Sequence, residues 1–237
     1  CLVGSEMCIR DSLERNIFAV CRDLKKHGKS LDIVYDIGAN DGRWTAKIGK
    51  QLPAKHFYQW EANPSCLYRH KVSNATRYTQ VLSDKDHQEV HFYIGDTPDV
   101  ENTGFSYYQE NTKHYTKGKF ITLPTLKLDT FVKEKKIPLP NFVKMDTQGS
   151  EVDIIRGGEK TLSHAWAIHC EVPLLEYNIG SPNFSDYQAA FKSIGFFATG
   201  VDHIAMRKNV VSQMDITFMR EDLLEEMYKY TERYNKL

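Results

Sequence analysis

The chain has 237 residues, 31 Lys and Arg balanced by 31 Asp and Glu, and 41% hydrophobic residues. Zero net charge gives no global field to attract a polyanion, which argues against nucleic acid or an anionic membrane surface as partner. No apolar run approaches the roughly 20 residues of a membrane span. The length suits one α/β domain.

Residues 1–12, CLVGSEMCIRDS, back-translate into a transposase adapter used for sequencing libraries, apart from its outermost bases. They are therefore expected to be foreign, with residues 13–237 forming a single domain and any targeting segment ahead of residue 13 left open. Cys1 and Cys8 go with that segment, and Cys21, Cys66 and Cys170 remain. Three widely spaced thiols fit reduced, packed cysteines of a cytoplasmic protein better than a disulfide framework or zinc site.

Apolar positions at helical spacing predict an opening amphipathic helix over residues 13–27, ended by Gly28. The short β-branched run 31–35 predicts a strand buried on both faces of a parallel sheet. A glycine turn and a helix over 44–52 follow, then a strand at 57–60, helix-compatible sequence and a third strand at 77–82. Alternation at 88–94 and extended sequence at 121–128 predict a hairpin-like elaboration. The loop between them, 95–119, is rich in Asn, Thr, Gly and Tyr, and a loop of this length is usually a functional lid or disordered, with a substrate loop the expectation here. Strands are expected at 141–146, 165–172, 196–206 and 215–219. Helices are expected at 151–162, weakened at Gly157 and Gly158, at 186–194 and at 221–234. Strands alternating with helices imply a parallel, doubly wound sheet.

Two constellations carry chemistry. In DIGANDG, an acid closes the first buried strand and small residues turn the chain into a helix. Gly38 allows close backbone approach of a ligand, Ala39 is small, Asn40 tolerates the left-handed conformation, and Gly42 opens the helix. Asp36 can orient the turn or meet a cationic amino group through water. Glu61 closes the second strand about twenty residues on, where an acid can accept both ribose hydroxyls of a nucleoside cofactor. Ser83 and Asp84, ending the third strand, are candidates to contact the base. The order D-x-G-x-N-x-G differs from the G-x-G-x-x-G that seats a pyrophosphate, which favours S-adenosylmethionine, a cofactor without phosphate.

The second constellation, KMDTQGSE, ends a later strand and opens a helix, so Asp146 should face the same crevice as Asp36 and Glu61. Glu151 stands in the first helical turn, where an acid either stabilises the helix N-terminus or joins the chemistry. His169 and Glu171 are two apart on the next strand and share a face. Phe105, Tyr107, Tyr108 and Tyr115 in the long loop either stack on a sugar ring or pack on one another.

In combination, DIGANDG, WEANP, VLSD, KMDTQGSEVDIIRGG and HCEV, spread in order from Ile33 to Val172, resemble the FkbM-type methyltransferase family. The resemblance implies a Rossmann-like class I methyltransferase fold, with a mostly parallel seven-stranded sheet flanked by helices. It implies S-adenosyl-L-methionine as cofactor and methyl transfer to a hydroxyl of a sugar, polysaccharide, polyketide or related metabolite. Asp36, Gly38, Asn40, Gly42 and Glu61 match the family's cofactor motif, and Asp146, Gly149 and Glu151 its later motif.

Because a sulfonium methyl group is already activated, the protein has chiefly to align the acceptor oxygen, exclude water and take a proton. Asp146 or Glu171 is expected to be that base, with Glu151 organising the turn and His169 nearby. A divalent cation held by Asp146 and Glu171 is allowed but not compelled by any spacing. The expected partner is a small-molecule or glycan acceptor. The rival readings are a catalytically silent nucleoside-binding module of the same fold, a nucleic-acid methyltransferase and, third, a nicotinamide-dependent oxidoreductase. Against the nucleic-acid reading stand the neutral charge and a DTQG rather than proline-rich strand end.

Overall fold

The computed structural model describes residues 16–52, 54–95, 104–113, 115 and 117–229. The adapter-like segment, residues 13–15 of the expected opening helix, 96–103, 114 and 116 of the long loop, and 230–234 of the expected last helix lie outside the described residues.

The chain begins with helix α1 (Ile17–Lys26), capped by the Asn16 side chain and buried along Ile17, Val20, Cys21 and Leu24. Then come β1 (Ile33–Ile37), α2 (Arg43–Ile48), β2 (His56–Trp60), β3 (Ala75–Tyr78), β4 (Val81–Leu82), β5 (Glu89–Tyr93) and β6 (Phe120–Leu126). The second half contains α3 (Leu128–Lys135), β7 (Phe142–Met145), α4 (Glu151–Gly157), α5 (Glu159–Leu162), β8 (Ala167–Pro173), α6 (Phe184–Ser193), β9 (Phe196–Arg207), β10 (Val210–Arg220) and α7 (Glu221–Tyr228).

Among the described residues, seven strands form the main sheet in the order β3-β2-β1-β7-β8-β10-β9, and β4-β6-β5 form a smaller one. The main sheet is parallel from β3 to β8, and β10 runs antiparallel to both its neighbours. No helix among the described residues is long and apolar enough to cross a membrane.

Four local expectations are corrected. The single strand expected at 77–82 is two: β3 joins the main sheet, while Val81 and Leu82 pair with Thr125 and Leu126 in the small one. A continuous run of strand formers carries no information about which distant edge it will meet. The segment 61–74 contains no helix, and α3 starts where an extended segment was expected to end. The helix expected over 151–162 is two, divided at the weak point expected at Gly157 and Gly158, where a Cβ on Gly157 would stand 2.0 Å from the Ser83 carbonyl and one on Gly158 2.9 Å from Leu128 Cδ2. Those glycines let the helix pair lie directly on β4 and α3.

The strand register organises one face of the sheet into rows. Phe57, Val34, Phe142, Ala167 and Met219 stand side by side on β2, β1, β7, β8 and β10, and all belong to the core cluster shared with α1 and α7. Two residues along, on the same face by strand periodicity, stand Gln59, Asp36, Lys144, His169 and Thr217, all buried. The next step reaches Glu61, Gly38, Asp146, Glu171 and Asp215 at the carboxyl edge. The face thus changes from apolar to buried polar to acidic within three rows. The opposite face carries Tyr35, Ile37, Trp60, Val143 and Met145 into the larger core cluster.

Candidate active site

The turn after β1 is built on left-handed backbone, with φ of +78° at Gly38, +43° at Asn40 and +87° at Gly42. A Cβ on Gly38 would lie 1.8 Å from the Asp146 carbonyl oxygen, and one on Gly42 2.3 Å from the Tyr68 ring. A side chain at Gly38 would run into the backbone after β7, and the glycine itself lines the cavity described below. Ala39 donates its N–H to the Trp60 carbonyl.

Asp36 is completely buried and looks inward. Its Oδ2 accepts from Thr45 Oγ1 at 2.6 Å, and its Oδ1 is 3.4 Å from Lys144 Nζ. Of the two roles considered for it, orienting the turn fits this geometry, and Asp36 is not among the residues that line the cavity from which it would meet an amino group through water. Glu61 accepts from the backbone N–H groups of Asn40 and Asn63, each at 2.8 Å and each on a different oxygen. Both oxygens keep a lone pair for further donors. Burial raises its pKa, opposed by those two N–H groups and by Arg77.

At the end of β7, Gln148 has φ +58° and Gly149 +102°, a strained loop of the kind found at functional sites. Gln148 Nε2 donates to Asp146 Oδ1 at 2.8 Å and to Glu171 Oε1 at 3.0 Å. Gln213 Nε2 donates to the other oxygen of Glu171, and its own Oε1 accepts from Tyr177 at 2.6 Å. Burial, with Asp146, Glu151 and Asp215 close by, pushes the Glu171 carboxyl up to about 9. Asp146 is 37% exposed, and its Oδ2 lies 3.6 Å from Lys144 Nζ.

Two candidates leave the chemistry on this geometry. Glu151 is buried and accepts from Thr147 N–H, Gly149 N–H and the Tyr187 hydroxyl, so it organises the turn instead of facing the cavity. His169 is buried one row behind the edge, with Nδ1 3.0 Å from Thr217 Oγ1. Burial, reinforced by Lys144, lowers its pKa to about 4.

A cavity of roughly 410 Å³ lies at the carboxyl edge, a volume typical of small-molecule sites. Gly38, Asn40, Glu61, Asp146, Gln148 and Glu171 line it, whereas Asp36, Ala39, Gly42, Glu151, Ser83 and Asp84 do not. Gln80, Val81 and Leu82 line the wall for which Ser83 and Asp84 were considered. Ser83 instead lies under Gly157, since β4 belongs to the small sheet. From the long loop, Phe105 and Tyr107 line the cavity. The hydroxyls of Tyr107 and Tyr108 both donate to Asp153 Oδ2, at 3.0 and 2.8 Å, and Tyr115 meets Phe105 edge-on.

A divalent cation between Asp146 and Glu171 does not fit, because the Gln148 amide already bridges their facing oxygens. Among the described residues, no group of three or more His, Cys, Asp or Glu side chains is arranged to hold a metal ion.

Sequence reasoning passed over Lys144, Gln148, Tyr177, Arg207, Gln213 and Asp215. A lysine inside the apolar strand FVKM was a usable signal, and Gln148 stood within the motif without a role. Nothing local marks the others: Tyr177, Arg207 and Gln213 reach the cavity from the loop after β8, from β9 and from β10, and Asp215 on β10 stands opposite Glu171.

A sheet of this order, with a glycine turn after β1 and an acid after β2 facing one cavity at its carboxyl edge, is a Rossmann-like class I methyltransferase fold. Residues 36–229 match the Methyltransferase FkbM domain, and the chain belongs to that family of S-adenosylmethionine-dependent methyltransferases. It is 23% identical over 192 residues to the 2-O-methyltransferase NoeI of Sinorhizobium fredii (strain NBRC 101917 / NGR234), covering 75% of this chain and 79% of the relative. Similar solved structures include a methyltransferase FkbM from Methylobacillus flagellatus KT (TM-score 0.48, 16% identity, 79% of this chain and 43% of that one). Another is magnesium protoporphyrin IX methyltransferase (ChlM) from Synechocystis PCC 6803 with bound SAM (TM-score 0.47, 10% identity, 85% of this chain and 76% of that one).

Proposed function

We propose that the chain methylates a hydroxyl oxygen of a sugar, polysaccharide or related metabolite, with S-adenosylmethionine as donor. The observation that carries this reading is the pair Asp146 and Glu171, bridged by Gln148, in the same cavity as the Gly38–Asn40 turn and Glu61. The 2-O-methyltransferase name of the Sinorhizobium fredii relative agrees with oxygen as the accepting atom.

The residues present fit the cofactor. Glu61 keeps acceptor capacity on both oxygens for ribose hydroxyls, the wall formed by Gln80, Val81 and Leu82 offers a half-apolar surface for a purine, and no phosphate-binding nest is needed. When bound, the cofactor supplies a methyl group on a positively charged sulfur, ready for displacement by an aligned oxygen.

The protein's task is then to orient that oxygen and receive its proton. We assign the base to Asp146. Its Oδ1 is occupied by Gln148, while Oδ2 lies 3.6 Å from the Lys144 ammonium and the side chain, 37% exposed, lines the cavity where an acceptor would sit. Glu171 keeps its proton at neutral pH and is suited to donate to the acceptor instead of taking its proton. Aromatic rings of Phe105, Tyr107 and Tyr177 beside the amides of Gln80 and Gln213 suit a polyhydroxylated ring, whose faces are apolar and whose edge bears hydroxyls.

Labelled S-adenosylmethionine incubated with a panel of glycans and read by mass spectrometry tests the reading. Label is expected on a hydroxyl oxygen, lost in Asp146→Asn and largely kept in Glu171→Gln. Undiminished transfer by Asp146→Asn would remove it from the mechanism, and label on nitrogen or on nucleic acid would overturn the acceptor class.

A further inference from the structure

We propose that Lys144 is a positioning residue that couples the cofactor-side turn to the carboxylate on the acceptor side, an inference resting on the role assigned above to Asp146. Its side chain is 8% exposed, and its Nζ donates to the Gly38 carbonyl at 2.8 Å. The same ammonium is 3.4 Å from Asp36 Oδ1 and 3.6 Å from Asp146 Oδ2. On the side of β1, Asp36 is tied through Thr45 Oγ1 to Gln59 Nε2 on β2, the second bond being 2.8 Å. Towards β8, Asp146 is tied through Gln148 to Glu171, and on through Gln213 to Tyr177. Two polar chains, one behind the glycine turn and one across the cavity floor, meet at a single ammonium.

That arrangement follows from register. Lys144 stands opposite Asp36 on β1 and His169 on β8, one row behind Asp146. Burial and the charge of Asp146 raise the carboxyls of Glu171, Asp215 and Glu151 on β8, β10 and α4, while His169, Cys170 and Tyr177 are held neutral by burial. Among the described residues, the ammonium in ion-pair contact with Asp146 is that of Lys144, while Arg207 lines the same cavity from β9 and His203 acts on Asp215.

The competing account is that Lys144 merely neutralises buried Asp36. Removing both charges at once distinguishes the two, because Asp36→Asn with Lys144→Met leaves no unpaired buried ion. Two readouts need no acceptor: calorimetric binding of S-adenosylhomocysteine, and the change it causes in the 15N NMR signal of the Gln148 side-chain amide, identified by its absence in Gln148→Gly. In the paired variant S-adenosylhomocysteine is expected to bind about tenfold more weakly, and the Gln148 amide to lose most of its response. Asp36→Asn alone should keep that response. A paired variant with wild-type affinity and response would overturn the proposal. If that variant does not fold, Asp36→Asn with Lys144→Gln, which keeps a donor for the Gly38 carbonyl, carries the same NMR test. Absence of S-adenosylhomocysteine binding by the wild-type protein would overturn the underlying functional reading instead.

Discussion

Gln148 reaches Glu171 across the gap between β7 and β8, donating to it at 3.0 Å from the same nitrogen that holds Asp146 at 2.8 Å. One neutral amide keeps two carboxyl groups together, and the residue adopts a left-handed backbone to do so, with φ +58°. A glycine would adopt that backbone without strain but lacks the amide. Gln148→Gly is therefore expected to melt within about 2 °C of wild type while methyl transfer falls about 100-fold. S-adenosylhomocysteine affinity should be nearly unchanged. A calorimetric melt, a binding isotherm and a labelled-transfer assay read these three quantities.

Glu171 should make the protein less stable as pH rises. Its folded carboxyl is pushed by burial from an ordinary value of 4.5 up to about 9, so between those values the folded chain retains a proton that the unfolded chain has released. Stability from this group falls across that window. Glu171→Gln cannot ionise, so its Tm relative to wild type should rise from pH 5 to pH 9 by roughly 4 °C or more. Comparing the two pH values cancels the constant cost of placing an amide opposite Gln148 and Gln213. A Tm difference independent of pH would show that Glu171 ionises normally.

His169 has the opposite sign. Burial and the neighbouring Lys144 lower its pKa from 6.5 to about 4, so the unfolded chain takes up a proton that the folded chain refuses. The stability it contributes is complete above pH 6.5 and is lost as pH falls towards 4. His169→Gln, which keeps polar contact with Thr217 without titrating, should flatten urea midpoints measured from pH 7 to pH 4.5. An equally steep acid loss in the variant would place the origin elsewhere.

Gly38→Ala should be far more damaging than Gly180→Ala, although both glycines have positive φ, +78° and +74°. Beyond Gly38 the new methyl would meet the Asp146 carbonyl at 1.8 Å, whereas at Gly180 nothing lies within 4 Å. Backbone strain alone costs about 1 kcal/mol, and the added clash should bring Gly38→Ala to at least about 3 kcal/mol. Urea denaturation of the two variants measures the difference. Equal costs would mean that the turn after β1 moves freely away from β7.

The local signals in the chain were strong where chemistry and backbone conformation coincide. Asn40 and the two glycines of DIGANDG declare left-handed backbone, and Glu61 follows at a spacing set by one helix and one strand. The turn and that spacing place Glu61 in the wall of the cavity. Ser83 and Asp84 were misplaced because a strand's local composition does not say which sheet it enters. Glu151 was ambiguous because an acid in a first helical turn has the same local appearance whether it faces a cavity or, as here, accepts from two backbone N–H groups and the hydroxyl of Tyr187, 36 residues away.

From residue order alone came the alternation of strands and helices, the turn, and the set of acids at strand ends, because each depends on neighbours within a few positions. Only the tertiary structure decided what those acids do. Register laid Gln59, Asp36, Lys144, His169 and Thr217 side by side behind the carboxyl edge. That row turns Asp36 inward to a lysine, sets Asp146 at the cavity and holds His169 uncharged. Pairings between strands as many as 108 residues apart in sequence determine which charges share a low-dielectric space, and such proximity leaves no trace in local order.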